Sequence, residues 1–416
     1  MKRNPGVFTD KEYDVIIVGA GMFGACALWE ASHRGLKAAL IEKGDFCQAT
    51  SANHYKMVHG GIRYIQHGDI HRIRESSKER AAFLRIAPHL VKPLPILLPT
   101  FGHGIKGKEF LGTGMKLYDF LTADRNIGIS DSERKIPGSS FLSKKEVQKL
   151  FPGIYSANLT GGAVFSDAQM YNPPRLALSF IRSAETFGAD VINYAEVIGF
   201  IKKENKVVGV RIKDSLNSDS FEIRGKMVLN TTGPWSNFLL ENYLGIRLNP
   251  KPSFSRDVAF VIKRKPNNDI ALAMTLKTKD VDSLIDRGGR HVFIVPWMDR
   301  DYLMAGVWHI VWDKDENKIY VTEEELREFL DEVNIAYPAL KLKIDEISMV
   351  NTGLTLFGET RPGSKTMSFG KRSLLIDHLK INSLNGLISL IGVRATVARG
   401  MAEKVIDLIS KKINNL

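Results

Sequence analysis

The feature that most constrains how this chain can fold is a glycine-rich turn between two apolar runs near the N-terminus. Residues 15–18 form the first run, residues 38–41 form the second, and the acid Glu42 follows directly. This order predicts a strand, a tight turn, a helix and a parallel strand, which together form the phosphate-binding unit of dinucleotide-binding folds. An ordinary glycine-rich turn is the alternative, but it would need neither the second strand nor the acid. The glycines of the turn are Gly19, Gly21 and Gly24.

Each part of this unit has a physical role in holding a dinucleotide. Gly19 permits the tight turn, Gly21 lets the backbone approach a pyrophosphate, and Gly24 lets the helix pack closely on the strand. The N–H groups at the start of the helix are unpaired and carry partial positive charge, which favours phosphate. Glu42 is placed to accept hydrogen bonds from a ribose diol. The sequence therefore predicts a bound dinucleotide.

The composition is that of a globular chain large enough for two domains. The sequence has 416 residues, of which 44% are hydrophobic and 25% are charged. Its net charge of +12 indicates an anionic partner, either a small-molecule substrate or a membrane surface. The basic residues are spread along the chain, without a basic tail or a recognisable nucleic-acid module. We therefore expect no nucleic-acid partner.

The cysteines and the apolar runs bear on where the protein works. Cys26 and Cys47 form no disulfide framework, and we expect both thiols to stay reduced. The N-terminal residues are polar, and no run approaches the ~20 apolar residues that span a bilayer. No cluster of Cys, His and Asp has metal-ligand spacing, so we expect no metal. These observations predict a cytoplasmic protein, with peripheral contact to the inner face of the cytoplasmic membrane as an alternative.

Several longer motifs follow Glu42 in a fixed order. They are Thr50-Ser51, Lys56-x-x-His59-Gly60-Gly61-Ile62-Arg63-Tyr64, Glu79-Arg80, Ala87-Pro88-His89-Leu90-Val91, Asn230-Thr231-Thr232-Gly233-Pro234-Trp235 and Phe293-Ile294-Val295-Pro296-Trp297. Through these motifs nearly the whole chain resembles the FAD-dependent glycerol-3-phosphate dehydrogenases, which are D-amino-acid-oxidase-like flavoproteins. We expect no counterpart of that family's C-terminal helical domain in this sequence.

The resemblance implies FAD as the cofactor and an α/β fold with two domains. A Rossmann-like FAD-binding domain, discontinuous in sequence, would comprise residues 11–100, 155–250 and 370–416. A second domain with an antiparallel substrate sheet would comprise residues 251–369. Alternating apolar runs within that last range independently predict antiparallel strands. Residues 101–154 would form an amphipathic insertion.

The resemblance also implies which residues contact FAD. Thr50 and Ser51 would offer donors beside the pyrophosphate, and the bend after His59 would lie along the isoalloxazine. A turn after residue 229 and a helix beginning near Ala395 would place backbone groups at the carboxyl edge of the sheet, where open α/β folds bind ligands. The predicted FAD contacts are Gly19, Gly21, Gly24, Glu42, Lys43, Thr50, Ser51, Lys56, Met57, Gly60, Gly61, Val197, Thr232, Gly233, Gly392, Arg394, Ala395 and Thr396.

Five polar residues are the predicted catalytic set: His59, Arg63, Tyr64, His309 and Arg394. By the resemblance, His59 would lie near the flavin, and Arg63 with Tyr64 would face the substrate and hold an anionic group. A guanidinium suits a carboxylate or a phosphate because its fork donates two parallel hydrogen bonds. The histidines are the candidate bases. The alternatives are a structural turn residue for His59 and a surface ion pair for Arg63.

The sequence departs from the family where the substrate would bind. Thr355 stands where the family has an arginine that grips the substrate phosphate, and Arg394 stands where it usually has a lysine. The family's Thr-Thr-Asp becomes Val307-Trp308-His309, and its Lys-Gly-x-His becomes residues 252–255. These departures predict a retained flavin site and a remodelled substrate site. Replacements for the lost cation would come from Arg256, Arg361 or His309.

Residues 105–121 have the pattern of a basic amphipathic helix. Phe110, Leu111, Met115, Tyr118 and Leu121 follow helical spacing, with lysines nearby. One interpretation is a helix that lies in a bilayer interface with its lysines at anionic headgroups. This interpretation agrees with the position of the membrane-contacting segment in the family. The other interpretation is a helix packed against its own domain or against another subunit.

The resemblance and the residues together predict a flavin-dependent dehydrogenase or oxidase. Its reaction would oxidise a secondary alcohol of a polyol phosphate, or of a related anionic substrate, by hydride transfer to flavin N5. One alternative is an amino-acid or 2-hydroxy-acid oxidase or dehydrogenase of the same fold. Another is a flavin-binding protein without turnover. The electron acceptor would be a quinone, oxygen or a soluble carrier.

Overall fold

The computed structural model describes residues 3–8, 11–102, 108–279, 289–297, 301–357 and 372–414. Arg361 and the start of the amphipathic segment therefore lie outside the described residues. The strands are β1 (Glu12–Val18), β2 (Ala38–Ile41), β3 (Met57–Val58), β4 (Val91–Phe101), β5 (Ser140–Ser143), β6 (Leu159–Met170), β7 (Asp190–Ile192), β8 (Ala195–Lys203), β9 (Lys206–Asp214), β10 (Ser220–Asn230), β11 (Ser253–Ile262), β12 (Ala271–Lys279), β13 (Gly289–Pro296), β14 (Leu303–Trp312), β15 (Ile347–Phe357), β16 (Leu374–Asp377) and β17 (Leu387–Ile391). The helices are α1 (Met22–His33), α2 (Ile70–Ile86), α3 (Lys108–Leu121), α4 (Lys144–Leu150), α5 (Pro173–Thr186), α6 (Ser236–Leu244), α7 (Glu323–Ala336), α8 (His378–Asn382) and α9 (Ala398–Asn414).

The first sheet contains the predicted dinucleotide unit. Its strand order is β16-β17-β10-β1-β2-β7, and the β8–β9 hairpin joins it through β10. Strand β1 pairs in parallel with β2 on one side and with β10 on the other. Residues 15–18 of β1 and the whole of β2 are continuous apolar runs because parallel sheets are covered on both faces. The α/β fold with a Rossmann-like part is thereby confirmed.

The second sheet runs β15-β11-β14-β13-β12-β4-β6-β3, with β5 paired to β6. Its pairs are antiparallel except β4 with β12. The strands predicted between residues 251 and 369 are present in this sheet. Strands β3, β4 and β6 also belong to it, although the predicted boundaries assigned residues 57–58, 91–100 and 159–170 to the FAD-binding domain. Strand β5 joins the same sheet from the predicted insertion.

Strand β4 shows why this assignment was hard to make from sequence. It carries prolines at positions 93, 95 and 99, a pattern that argues against a strand inside a sheet. All three prolines lie at alternate positions, so their missing N–H groups face one edge of the strand. The other edge remains complete, and β4 pairs with β6 along its whole length.

Helix α3 confirms that the amphipathic segment is helical, and it shows which face is buried. Met115 and Tyr118 are 1% and 2% exposed, so this face packs on its own domain. A different apolar row points outward, with Phe110, Leu117 and Phe120 exposed by 42%, 49% and 79%. Among the described helices, none is both long and apolar enough to cross a bilayer.

Candidate active site

A cavity of about 970 Å³ lies between the two sheets. On one side it is lined by the carboxyl ends of β1, β2, β10 and β17, where an open parallel sheet binds its ligands. On the other side it is lined by residues of β11, β13, β14 and β15. The fold therefore places the predicted dinucleotide unit and the predicted substrate sheet around one common space.

The glycine turn at the end of β1 is as tight as the sequence predicts. Gly19 has a φ of +98°, a conformation that favours glycine. A Cβ on Gly24 would lie 1.9 Å from the Gly19 carbonyl oxygen, so no larger residue fits at that contact between strand and helix. The Met22 N–H donates to the Ser51 hydroxyl at 3.0 Å, which links the helix start to the Thr50-Ser51 motif.

Glu42 lines the cavity at the end of β2, where an acid that binds ribose is expected. The backbone N–H of Ala20 donates to its Oε2 at 2.7 Å, and that of Gly44 donates to its Oε1 at 2.9 Å. These two bonds fix the carboxylate, and each oxygen retains a further lone-pair direction for a ribose hydroxyl. Lys43 lies beside it, with Nζ 5.1 Å from the centre of the Trp235 ring.

These features fit FAD. The close contact at Gly24 leaves a cradle of backbone N–H groups at the start of α1, and the fixed carboxylate of Glu42 lies at the neighbouring strand end. The cavity continues from this cradle to the second sheet, so it can hold an extended dinucleotide together with a small substrate. The predicted FAD contacts that line it are Gly19, Gly21, Glu42, Lys43, Thr50, Ser51, Met57, Gly61, Val197, Thr232, Gly233, Gly392, Arg394, Ala395 and Thr396.

Gly24, Gly60 and Lys56 are the predicted FAD contacts that do not line the cavity. A Cβ on Gly60 would lie 2.1 Å from Arg80 Nη1, so this glycine makes room for a buried guanidinium and not for the flat ring that the resemblance implies. The Lys56 ammonium lies 4.9 Å from the centre of the Trp297 ring, and burial lowers its pKa to about 8.

His59 lines the cavity and belongs to a buried polar cluster. Its backbone N–H donates to the Thr396 hydroxyl at 3.1 Å, and its Nδ1 lies 3.8 Å from Asp167 Oδ2. Asp167 also accepts from Arg80 Nη1 at 2.9 Å and from the Gly60 N–H at 2.5 Å. Burial by itself would raise the pKa of Asp167, but the His59 imidazole, the Arg80 guanidinium and the Gly60 N–H outweigh it and lower that pKa.

A second histidine, His54, also lines the cavity. Its Nδ1 accepts the backbone N–H of Lys56 at 2.9 Å, so in the neutral ring the proton is on Nε2. Burial, together with the positive charges of Lys56 and His59, lowers the pKa of His54 to about 3. His54 is therefore a neutral donor near physiological pH, and the sequence analysis did not anticipate it.

The cationic end of the cavity is built around Tyr64. The guanidinium carbons of Arg72 and Arg394 lie 4.2 and 5.0 Å from its ring centre, and Arg394 also donates to its hydroxyl. Arg72 is neutralised by Asp69 at 2.7 Å. Arg394 has no carboxylate partner within the described ranges, and its buried Nε has no hydrogen-bond partner there. Together with Arg63, which also lines the cavity, this end can bind an anion.

The opposite wall carries a carboxylate that the sequence analysis missed. Asp257 accepts hydrogen bonds from Ser255 Oγ and Thr355 Oγ1, both at 2.8 Å. His309 Nδ1 lies 2.6 Å from the same carboxylate. The position of the family's phosphate-gripping arginine, occupied here by Thr355, therefore contacts an acid.

Arg256 cannot replace that lost arginine. Its side chain is almost fully buried and forms an ion pair with Glu325 at 2.8 Å, while it also donates to the Tyr320 carbonyl. The alternation of side chains along β11 explains this outcome, because neighbouring residues 256 and 257 point to opposite faces of the sheet. Residues two positions before and after Asp257 share its face of the sheet. This alternation is the sequence pattern from which a cavity-facing position for Asp257 could be predicted.

The helix near the C-terminus begins slightly later than predicted. Residues Ala395–Val397 form a short 3-10 turn, and α9 follows from Ala398. Arg394, Ala395 and Thr396 nevertheless line the cavity at this helix start. Both cysteines are buried free thiols. Within the described ranges, no group of His, Cys, Asp and Glu residues could hold a metal ion.

Known proteins share this architecture. The DAO family, described as FAD dependent oxidoreductase, matches residues 14–376. The glycerol-3-phosphate dehydrogenase of Synechocystis sp. is 30% identical over 422 residues, which cover 99% of this chain and 72% of that protein. The X-ray structure of the Bacillus halodurans glycerol-3-phosphate dehydrogenase complexed with FAD has a TM-score of 0.70 at 25% identity, covering 98% of this chain and 66% of that chain. The FAD-bound L-α-glycerophosphate oxidase of Mycoplasma pneumoniae shares the fold, with a TM-score of 0.67 at 16% identity over 96% of this chain and 95% of that chain.

Proposed function

The chain belongs to the DAO family of FAD-dependent oxidoreductases, and from this premise we propose that it oxidises a secondary alcohol of an anionic substrate such as a polyol phosphate. The observation that carries the proposal is Arg394, a guanidinium in the cavity with no carboxylate partner in the described part of the chain. A cation without a counter-ion in a partly buried site favours an anionic ligand. The Synechocystis and Bacillus halodurans proteins, which match over nearly the whole chain, are glycerol-3-phosphate dehydrogenases, although this chain spans only about two thirds of the Bacillus halodurans protein.

Different residues around the cavity would have different roles in such an oxidation. Bound FAD supplies the hydride acceptor. Arg394 and Arg63 hold the anionic group and orient the alcohol, while Tyr64 keeps the Arg394 guanidinium in place. A histidine of the cavity, His59 or His309, takes the hydroxyl proton. The apolar walls around these groups limit the access of water to the reacting carbon.

A 2-hydroxy acid or an amino acid is the second candidate substrate class, and one observation favours it. Asp257 contacts Thr355 at the wall where the family grips a phosphate, and a carboxylate there repels a dianionic phosphate. A substrate with a single carboxylate carries one negative charge, so Asp257 would repel it less than a dianionic phosphate bound at the same place. A flavin-binding protein without turnover is the remaining alternative.

An anaerobic titration of the FAD-loaded protein distinguishes these functions. The panel contains glycerol 3-phosphate, other polyol and sugar phosphates, 2-hydroxy acids and amino acids, and bleaching of the oxidised flavin absorbance reports reduction. We expect a phosphorylated polyol to bleach the flavin at the lowest concentration. Bleaching by hydroxy or amino acids alone would assign the second class. A flavin that no compound reduces would contradict both enzymatic functions.

We also propose that the outward face of α3 contacts a membrane surface, with a quinone as the electron acceptor. Phe110, Leu117 and Phe120 form an exposed apolar row on this helix, and the exposed Lys116 lies beside it. An apolar row flanked by cations suits the interface of an anionic bilayer. The opposite face, with Met115 and Tyr118, anchors the helix to its own domain.

The substitution Phe120→Ser is expected to weaken binding to vesicles that contain anionic lipid. Burying a phenylalanine in the interface contributes about 1.5 kcal/mol, so the apparent affinity should fall roughly tenfold. Co-sedimentation with vesicles measures this change. Leu216→Ser is the matched control, since Leu216 is also highly exposed but lies in the turn between β9 and β10. Equal losses in both variants, or none, would contradict a membrane role for α3.

A further inference from the structure

Two aspartate–histidine pairs line the cavity, and their geometries differ. In the first pair, His59 Nδ1 lies 3.8 Å from Asp167 Oδ2, which is beyond hydrogen-bond distance. In the second pair, His309 Nδ1 lies 2.6 Å from Asp257 Oδ1, well within that distance. The second pair is therefore the one in which the carboxylate directly holds the ring.

The charge around the two carboxylates also differs. Asp167 forms an ion pair with Arg80 and accepts the Gly60 N–H, so its negative charge is already balanced. The other partners of Asp257 are the hydroxyls of Ser255 and Thr355, which are neutral. No lysine or arginine pairs with Asp257 in the part of the chain that the structure describes. The charge of Asp257 is thus available to stabilise an imidazolium, whereas that of Asp167 is largely offset.

The hydrogen bond to Asp257 also selects the tautomer of His309. An aspartate oxygen can only accept at this distance, so the neutral imidazole carries its proton on Nδ1 and its lone pair on Nε2. Both residues lie on strands, and they face each other in the β11–β14 register. The pair is therefore held on a rigid scaffold, as a proton-transfer group requires. Side-chain exposures of 16% for His309 and 20% for Asp257 leave the pair accessible from the cavity.

Asp257 has little hydrogen-bonding capacity left for a cationic group of a substrate. Its Oδ1 accepts from Ser255 and His309, and its Oδ2 accepts from Thr355. Three donors from the protein itself thus satisfy most of its capacity. The arrangement favours a base held by a carboxylate over a site that binds an ammonium group.

We propose that His309 is the base of the reaction and that Asp257 is the positioning residue that fixes its tautomer and stabilises the imidazolium. This inference rests on the proposed oxidation of an alcohol. Bound FAD would supply the acceptor for the hydride that carries away the electron pair of the breaking C–H bond. The O–H bond breaks as its proton passes to Nε2 of His309, and the C–O bond becomes a carbonyl. His59 then serves to line the cavity and position its neighbours.

Single substitutions in the FAD-loaded protein test this assignment. His309→Gln should lower kcat by about 10²–10⁴-fold, the usual contribution of a general base, and change KM only a few-fold. Asp257→Asn should lower kcat at least about tenfold, again with little change in KM. His59→Gln should have a smaller effect on kcat than either. Asp313→Asn is the matched control, because Asp313 is exposed just beyond β14 and should leave kcat unchanged.

A second measurement is independent of turnover. In ¹⁵N-histidine-labelled protein at about pH 8, the coupling pattern of His309 should show the Nδ1–H tautomer, assigned by loss of the signal in His309→Gln. Asp257→Asn should shift the proton toward Nε2, because an amide can donate to Nδ1. An unshifted tautomer, or a larger kcat loss in His59→Gln than in His309→Gln, would overturn the inference. Failure of every substrate in the panel would instead count against the proposed function, and the tautomer would still report on the Asp257–His309 pair.

Discussion

Replacing Arg80 with methionine is expected to lower the free energy of unfolding by about 3–5 kcal/mol, the usual cost of breaking a buried ion pair by removing one partner. Arg80 is fully buried and bonds to Asp167 at 2.9 Å and to the Ser166 carbonyl at 2.7 Å. Methionine fills a similar space but leaves the Asp167 charge without its guanidinium. Urea unfolding of wild type and variant, both saturated with FAD, measures the difference.

The double variant Arg80→Met/Asp167→Asn is the control for this prediction. It removes both charges, so most of the lost stability should return. Arg74→Met provides a second comparison, since Arg74 pairs with Asp124 on the surface and should cost no more than about 1 kcal/mol. If the double variant were as unstable as the single one, the loss would come from packing and not from the unpaired charge.

The same pair predicts the sign of a pH dependence. In the wild-type fold the pKa of Asp167 is lowered, so its stabilising contribution is present above the unfolded-state pKa of about 3.9 and is lost as the pH falls. In Arg80→Met, burial is no longer offset by the guanidinium, and the pKa of Asp167 should rise. Its protonation at falling pH then removes the unpaired charge. The stability difference between variant and wild type should therefore be larger at about pH 8 than at about pH 5.

The dinucleotide unit could be predicted from the sequence because its determinants are local. The spacing of the glycines fixes the turn, and Glu42 follows its strand directly. The membership of β4 and β6 in the second sheet could not be predicted in this way. Their pairing depends on a register between residues far apart in the chain, and the prolines of β4 obscure its strand character. Local pattern thus identified the elements, while long-range pairing decided which sheet they joined.

The amphipathic helix α3 was likewise only partly predictable from local sequence pattern. Helical spacing predicted α3, but it could not tell which apolar row faces the protein. The structure buries Met115 and Tyr118 and exposes Phe120, a residue outside the predicted row. The packing of the helix on its own domain is therefore confirmed for one face, and membrane contact remains a proposal for the other.

The substrate wall was the least predictable part of the site. Asp257 stands inside a largely buried strand. Its role depends on His309, which reaches it only when β14 pairs with β11. The family's Lys-Gly-x-His aligns with residues 252–255, and Asp257 lies two positions beyond that motif. Arg256, its neighbour, faces Glu325 on the other side of the sheet. The alternation of side chains along β11 thus decides that Asp257 faces the cavity and that Arg256 is buried on the other face.

Replacing Arg394 with methionine is expected to raise KM for an anionic substrate by about 30- to 100-fold, with a smaller change in kcat. Charge-assisted hydrogen bonds contribute about 2–3 kcal/mol, and a contact made equally in ground and transition states acts on KM. Arg394 lies in the cavity beside Tyr64 and pairs with no carboxylate among the residues described. Steady-state kinetics, with flavin reduction rates measured against substrate concentration, provide both constants.

Two comparisons separate substrate binding from other roles of Arg394. An uncharged alcohol such as glycerol should be oxidised with nearly the same kcat/KM by wild type and by Arg394→Met, because it has no anion to bind. Arg394→Lys should recover part of the lost affinity, since lysine keeps the charge but lacks the bidentate fork. The opposite pattern, with unchanged KM for the anionic substrate and weaker retention of FAD, would assign Arg394 to the cofactor. The anionic group would then have to be held at Arg63, the other guanidinium of the predicted catalytic set that lines the cavity.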